Sequence, residues 1–357
     1  MKERHFFAGN NTAKGFYSHF DHIINLEDAK HYYILKGGPG VGKSSFMKKF
    51  ASIMSSKGHS IEYVHCSSDK DSMDAVVILE LKLAFVDGTA PHVVDPIYPG
   101  VVDEILNLGH FLDDTKLMKY KDEIIQTSKA KTHIYKSAYR YLACANLIQE
   151  DIHSIYDQMT NISSFLKLSE EIIHEIFHLS DSKDDGKKPG NIRKLFSESY
   201  TSDGYISFTD SLCAERKVWS IRGNNTNFTS RLFEHVVLEA TKKGYDTECF
   251  YRPLNPDKIQ HVLIPDLNLM LRSDEDKGYA KADKVIDLGS LMDRSKLNSL
   301  SHDIESKQLQ YDSFISHALQ QLSQTKKLHG SLEKIYVGAM DFKGVDQTFE
   351  SLVAKYQ

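Results

Sequence analysis

The chain has 357 residues, of which 41% are hydrophobic and 26% are charged, and its formal net charge is −5. This composition is typical of a folded globular protein and excludes a disordered or fibrous one. The negative charge disfavours a protein whose main partner is the phosphate backbone of nucleic acid. Isolated cysteines, no apolar run of transmembrane length and no signal-peptide segment predict a cytoplasmic protein without membrane contact.

The first strong motif is a glycine-rich loop between a predicted strand and a predicted helix. Residues 32–36 form a β-rich run, and apolar residues recur at helical spacing from Phe46 onward. Between them the pattern GxxxxGK[ST] is complete, with Gly37, Gly38, Pro39, Gly40, Val41, Gly42, Lys43 and Ser44. Glycines let backbone N–H groups point inward at phosphate oxygens, and the helix adds its positive N-terminal end. The motif therefore predicts a nucleoside triphosphate site.

Individual residues of this site have predicted roles. Lys43 is expected to reach the β- and γ-phosphates, Ser44 to bind Mg²⁺ through its hydroxyl, and Ser45 to contact the α-phosphate. Asp87 ends an apolar run over 83–87, so it is the predicted second metal ligand, contributed by a neighbouring strand. The alternative for Asp87 is a loop aspartate that caps a turn.

Further polar residues follow the next predicted strand, over 61–64. Asp69, Asp71 and Asp74 are candidates to position an attacking water or a hydroxyl substrate, and we assign Asp71 the catalytic role. The alternative is that this segment is an ordinary surface loop. His92 is a candidate for phosphate or substrate contact, and its alternative is a solvated loop histidine.

Long helical arms are predicted after the first α/β segment. No proline occurs between Pro99 and Pro189, and apolar residues recur in a 3-4 rhythm from Ile134 to Ile176. A turn near 160–164 would fold this stretch into a hairpin, and residues 300–322 contain a shorter relative. These arms either mediate self-association or partner binding, or pack on each other and on the α/β cores. We favour packing.

The second half of the chain repeats the first. Three aligned blocks keep their order, namely 7–21 with 196–210, 58–85 with 244–271, and 103–117 with 283–297. The middle pair has 7 identities in 28 positions without a gap, and a charged stretch at 181–190 separates the halves as a linker. We therefore predict two domains, 1–180 and 191–357.

The phosphate motif is lost in the second half. Residues 223–230 align with 37–44, and there Phe228 replaces the last glycine and Thr229 replaces the lysine, while Ser273 takes the place of Asp87. A bulky side chain against phosphate and the loss of the ammonium predict a pseudo-NTPase that keeps the fold. The second half is still a possible source of an arginine finger, with the candidates Arg222, Arg231, Arg252 and Arg272.

Four stretches carry a resemblance to a known family: FAGNNTAKGFYS, YYILKGGPGVGKSS, HCSSDKDSMDAVVI and VDGTAPHVVDP. They resemble a poorly characterised, Firmicute-type family of bacterial P-loop ATPases with two tandem nucleotide-binding repeats. The resemblance extends over essentially the whole chain and implies ATP binding and hydrolysis. In similar proteins the second repeat often has its own phosphate loop, and this sequence departs from that pattern.

We predict an α/β protein with two tandem P-loop NTPase domains, each a mainly parallel sheet flanked by helices and carrying a helical arm. The expected function is a Mg²⁺-dependent ATPase that acts as a nucleotide-driven switch, with ATP and Mg²⁺ bound by the first repeat only. No guanine-reading NKxD-type motif is found, which favours ATP over GTP. The alternatives are a small-molecule kinase and a nucleotide-stabilised interaction scaffold.

Overall fold

The computed structural model describes residues 2–178, 188–224, 226–274 and 282–356. Within these ranges the first half contains eight strands, β1 to β8: Glu3–Phe6, Gly9–Thr12, Gly15–Ser18, His31–Lys36, Ile61–His65, Met73–Ile78, Leu83–Asp87 and Asp103–Asn107. Its α-helices are α1 to α4: Lys43–Ser56, Asp114–Met118, Lys121–Met159 and Ile162–His178. The strand predicted at 32–36 and the helix predicted from Lys43 are confirmed as β4 and α1.

The second half repeats this series of elements. Its described strands are β9 to β16: Ile192–Leu195, Glu198–Thr201, Gly204–Ser207, Lys217–Arg222, Thr247–Tyr251, Ile259–Ile264, Leu269–Asp274 and Lys284–Asp287. Its helices are α5 to α9: Thr209–Cys213, Thr226–Lys242, Arg294–Ser299, Ser301–Val337 and Phe342–Ala354. The predicted linker, 181–190, lies mostly outside the described residues.

Each half builds a six-stranded sheet with the same strand order. The first is β1-β5-β6-β7-β4-β8 and the second is β9-β13-β14-β15-β12-β16, as the predicted duplication requires. Both sheets contain parallel pairs, but β6 and β14 run antiparallel to their neighbours, which departs from the predicted mainly parallel arrangement. Only residues 66–72 and 79–82 connect β5, β6 and β7, and a parallel crossover needs a dozen or more residues.

The two sheets face each other in the middle of a four-layer molecule. One side of each sheet contributes to a shared apolar core that includes Ile34 and Val86 of the first half and Leu263 and Met270 of the second. The other side of the first sheet packs on α1 and α9, and the other side of the second sheet packs on α6 and α4. Helices therefore cover both outer faces.

Equivalent residues of the two halves meet in this interface. Phe7 and Phe196 exchange two backbone hydrogen bonds of 2.8 and 2.9 Å. A buried ion network surrounds them, in which Glu62 and Glu248 each accept hydrogen bonds from Arg4 and Arg193. The positions correspond in the sequence repeat, since 4 aligns with 193 and 62 with 248. The halves are consequently related by an approximate two-fold axis.

The C-terminal helix of each half packs on the other half. α9 places Val345, Leu352 and Val353 in the core of the first sheet, and α4 places Phe165 and Ile172 in the core of the second. The long helices α3 and α8 lie antiparallel along each other, with Lys131 near His329 and Tyr141 stacked on His317. Part of the apolar seams predicted for the arms is thus buried within this chain, including Ala138, Ala145, Ala318 and Leu322.

Candidate functional site

The glycine-rich loop (residues 37–44) connects the central strand β4 to α1. β4 is buried along most of its length, so it fixes the start of the loop in the sheet. Gly40 and Gly42 have φ angles of 72° and 95°, in the left-handed region that favours glycine, and Gly42 is the residue that caps α1. The backbone therefore curls around the N-terminus of α1, as a phosphate-binding loop requires.

Lys43 lies inside this loop with 9% of its surface exposed. Its ammonium donates to the carbonyl oxygens of Gly37 (2.9 Å) and Gly38 (3.0 Å) and lies 3.6 Å from Oδ2 of Asp87. Lys43 therefore folds back across the loop, where backbone oxygens and Asp87 surround its ammonium.

Asp87 lies beside Lys43, and Ser44 is the last residue of the loop. Asp87 ends β7, which is hydrogen-bonded in parallel to β4 with Leu35 opposite Asp87. Its Oδ1 accepts from the amide and the hydroxyl of Thr89 (2.9 and 2.6 Å), which leaves Oδ2 directed to Lys43. Ser44 Oγ accepts from the amide of Met73 at 3.0 Å, so its own proton and second lone pair are not used in that bond.

The two predicted metal ligands, Ser44 and Asp87, could supply only two of the oxygen ligands that Mg²⁺ needs. Among the described residues no group of three or more His, Cys, Asp or Glu side chains forms a metal cage. Mg²⁺ bound to a nucleotide needs only one or two protein oxygens, because phosphate and water supply the others. Ser44 and Asp87 are hard oxygen ligands of this kind.

The three acids of segment 67–74 lie in different surroundings. Asp71 has 69% of its side chain exposed and pairs with Lys70 at 2.7 Å, and no contact joins it to Lys43 or Asp87 among the described residues. Asp69 pairs with Lys326 of α8 at 3.2 Å. Asp74 is 2% exposed and follows Met73, whose amide donates to Ser44. Burial thus distinguishes Asp74 from Asp69 and Asp71, whereas the spacing of the three acids in the sequence does not.

His92 connects Asp74 to Asp87. Its Nε2 lies 3.3 Å from Oδ1 of Asp74 and its Nδ1 lies 2.9 Å from the carbonyl oxygen of Asp87, while its ring stacks on Phe20 at 4.4 Å. Burial by itself lowers the pKa of His92, but the charge of Asp74 and the hydrogen bonds outweigh it and raise the pKa to about 9. The imidazolium therefore donates from both nitrogens and holds the end of β7 in place. In the sequence His92 is only a single loop histidine.

Helix α8 of the second half covers the outer side of the glycine-rich loop. A methyl group on Gly38 would lie 2.5 Å from a ring carbon of Tyr336, and one on Gly40 would lie 3.0 Å from the carbonyl oxygen of Glu333. The segment that follows β8 is joined to the corner between α8 and α9 by two backbone hydrogen bonds, from Asp113 to the oxygen of Ala339 and from Asp341 to that of Phe111. The candidate site is therefore composed of both halves, which the sequence did not indicate.

Side chains occupy the corresponding place in the second half. The hydroxyl of Thr226 lies 2.8 Å from the ring nitrogens of His153, and Asn227 donates to Asp157 at 2.7 Å. Phe228 is buried against Phe165, with ring centroids 4.6 Å apart. Residue 225 lies outside the described ranges. At the described positions, packing of side chains replaces the glycine backbone of the first half.

The four arginines considered as fingers lie in the second half. Arg222 pairs with Asp274 at 3.6 Å, Arg272 lies 4.0 Å from the same carboxylate, Arg252 donates to Ser273, and Arg231 lies over Phe228. These contacts place them at the second half's own loop and sheet. Lys326 of α8, by contrast, contacts the first half through Asp69 at 3.2 Å.

No protein-family model, curated protein or solved structure matches the chain. Among the described residues, none of the helices combines the length and apolar character needed to cross a bilayer. The arguments about function therefore depend on the geometry of the site.

Proposed function

We propose that the first half binds a Mg²⁺-nucleoside triphosphate, ATP, in the glycine-rich loop and hydrolyses its terminal phosphate, and that the second half is a pseudo-NTPase. The observation that supports this most directly is the position of Lys43, inside a loop of left-handed glycines at a helix N-terminus. Backbone N–H groups and the helix dipole favour negative charge there, and Lys43 adds a full positive charge.

The proposed roles follow from the contacts of each side chain. Lys43 would leave the carbonyl oxygens of Gly37 and Gly38 for the β- and γ-phosphates, and Ser44 and Asp87 would hold Mg²⁺. Bound Mg²⁺ supplies charge neutralisation of the terminal phosphates. Water would then form a bond to the terminal phosphorus while the bond to the bridging oxygen breaks, which yields ADP, inorganic phosphate and a proton that is released to the solvent.

Asp74 and His92 are proposed as positioning residues. His92 donates toward Asp74 and the backbone of Asp87, and it lies against Phe20 in a buried setting. His92 fixes the backbone that carries the Asp87 carboxylate, so this carboxylate would lose less freedom when it binds Mg²⁺. This arrangement favours Asp74 over the exposed Asp71 for a role at the site.

The proposed switch uses α8. Because Tyr336, Glu333 and Val337 lie against Gly38 and Gly40, a change in loop conformation on nucleotide binding is transmitted directly to the second half. The antiparallel packing of α3 and α8 carries the same displacement to the neighbourhood of Thr226, where α3 contributes His153.

The test compares Lys43→Ala with Lys49→Ala, a matched variant that removes an exposed lysine of the same helix. We expect Lys43→Ala to weaken ATP binding about 10- to 100-fold, because a charge-assisted hydrogen bond contributes about 1.5–3 kcal/mol, and to abolish phosphate release. Lys49→Ala is expected to behave as the wild type. Equal ATP affinity and turnover in the two variants would refute the proposal, and a new phosphorylated species formed from a metabolite extract would favour the small-molecule kinase.

A further inference from the structure

A groove begins where β8 ends, beside the glycine-rich loop. One part of it has a volume of about 310 Å³ and a second part about 380 Å³, and Leu106 and Thr348 line both parts, so they form one continuous groove. β8 supplies one wall, and α9 of the second half supplies the other through Thr348. We call this the β8–α9 groove.

The β8–α9 groove adjoins the phosphate site through backbone contacts. Asn107, the last residue of β8, is paired in register with Lys36, the last residue before the loop. A methyl group on Gly37 would lie 3.2 Å from the amide nitrogen of Gly109, which follows β8 in the short helical turn Leu108–Phe111. The mouth of the groove therefore lies next to the start of the glycine-rich loop.

The residues that line the groove combine apolar surface with a few polar groups, which suits a flat ring with polar atoms at its edge. Ile105 and Phe111 give apolar surface, and the ring of His110 lies edge-on to that of Phe111 with centroids 6.0 Å apart. The side chains of Asn107 and His110 make no hydrogen bond with another described residue, so both can bond to a ligand. Apolar walls with a few placed polar groups are typical of small-molecule sites.

The second half lacks these features at the equivalent positions. With the offset of 180 that relates the two C-terminal regions, His110 corresponds to Ser290, Phe111 to Leu291, and Thr348 to Leu168. Leu168 and Leu291 pack against the core of the second half, and Phe111 packs in the same way against the core of the first half. The aromatic and polar lining thus occurs in the half that has the complete phosphate motif, as expected if both features serve one ligand.

We propose that the β8–α9 groove binds the nucleobase, a purine, of the nucleotide whose phosphates lie in the glycine-rich loop. This inference rests on the proposed function and adds the location of the base and the participation of α9. The purine lies against Ile105 and the aromatic pair, and Asn107 and His110 bond to its edge. The nucleotide then contacts both halves of the chain through its base as well as through its phosphates.

The experiment compares the Mg²⁺ complexes of ATP and of inorganic tripolyphosphate, which has no base. Calorimetric titration is carried out on the full chain with Ile105→Asp and His110→Ala, and with the matched variants Val285→Asp and Ser290→Ala at equivalent positions. Ile105 and Val285 are 47% and 46% exposed, so neither aspartate is buried. We expect Ile105→Asp and His110→Ala each to weaken ATP binding about tenfold, because the first removes apolar surface and the second removes an aromatic ring beside the base. Tripolyphosphate binding and the matched variants should be unchanged.

Several outcomes would overturn the inference. Wild-type protein that binds tripolyphosphate as tightly as ATP would show that no base site contributes, while the proposed phosphate site would stand. Equal loss of both ligands in Ile105→Asp, or no loss of either, would also contradict it. If neither ligand binds the wild type, the proposed function fails and this inference fails with it. Photolabelling with 8-azido-ATP gives an independent readout, because the labelled peptide is expected within 105–111 or 342–354, and labelling elsewhere would contradict the assignment.

Discussion

His92 gives a quantitative prediction about pH and stability. Its ordinary pKa of 6.5 is raised to about 9 in the folded chain, against the effect of burial, by Asp74 and the hydrogen bonds around it. Since a tenfold change in proton affinity corresponds to about 1.4 kcal/mol, protonation of His92 is linked to about 3 kcal/mol of folding stability. The fold favours the protonated form, so this contribution is complete below pH 6.5 and is lost as the pH rises through about 9.

The perturbation is His92→Gln, which keeps a polar side chain but cannot become cationic. The stability lost by the variant is expected to be about 2.5 kcal/mol larger at pH 7 than at pH 10, because the wild type loses its own His92 contribution over that interval. The assay is urea unfolding followed by circular dichroism, with wild type and variant measured at each pH so that other titrating groups cancel.

A matched variant tests whether the effect belongs to the ion pair. His133→Gln changes an exposed histidine of α3, and its effect on the free energy of unfolding is expected to be the same at both pH values. The reasoning would be refuted if the difference between wild type and His92→Gln were as large at pH 10 as at pH 7. That result would mean that His92 is neutral in the folded chain and contributes only by packing on Phe20.

Three further predictions test the contacts between the halves and the state of the thiols. Gly38→Ala places a methyl group 2.5 Å from a ring carbon of Tyr336. This overpacking should lower the free energy of unfolding by about 1–3 kcal/mol. The double variant Gly38→Ala/Tyr336→Leu should recover part of the lost stability in the same urea assay. Glu62→Gln leaves the buried guanidinium of Arg193 without one of its two carboxylate partners and should cost about 3–5 kcal/mol in urea unfolding, whereas an unchanged midpoint would show that the network is not a stabilising one. Cys144 is the exposed cysteine of the four, so mild thiol titration of the native chain should modify it first; equally fast labelling of a Cys144→Ser variant would contradict the described burial.

Local features of the fold were accessible from the sequence. The strand before the glycine-rich loop, the start of α1 at Lys43, and the strand that ends at Asp87 follow from alternation, turn residues and helical spacing, which act over a few residues. The duplication was visible because equivalent elements kept their order, and the same strand order in both sheets agrees with it. The antiparallel course of β6 was missed, although the short connections around it contained the necessary information.

The sequence by itself determined which half has a phosphate motif, since glycines that adopt left-handed φ angles and the lysine at the helix start are local requirements. Only the tertiary structure decided which acid approaches that motif and what surrounds it. Asp71 and Asp74 are three residues apart, yet one is exposed and the other buried, because burial depends on His92 and Phe20 from distant parts of the chain. The exchange of α4 and α9 between the halves was likewise invisible in the sequence. An apolar helix face matches any apolar sheet face, and the choice of partner is made by chain connectivity and shape rather than by composition.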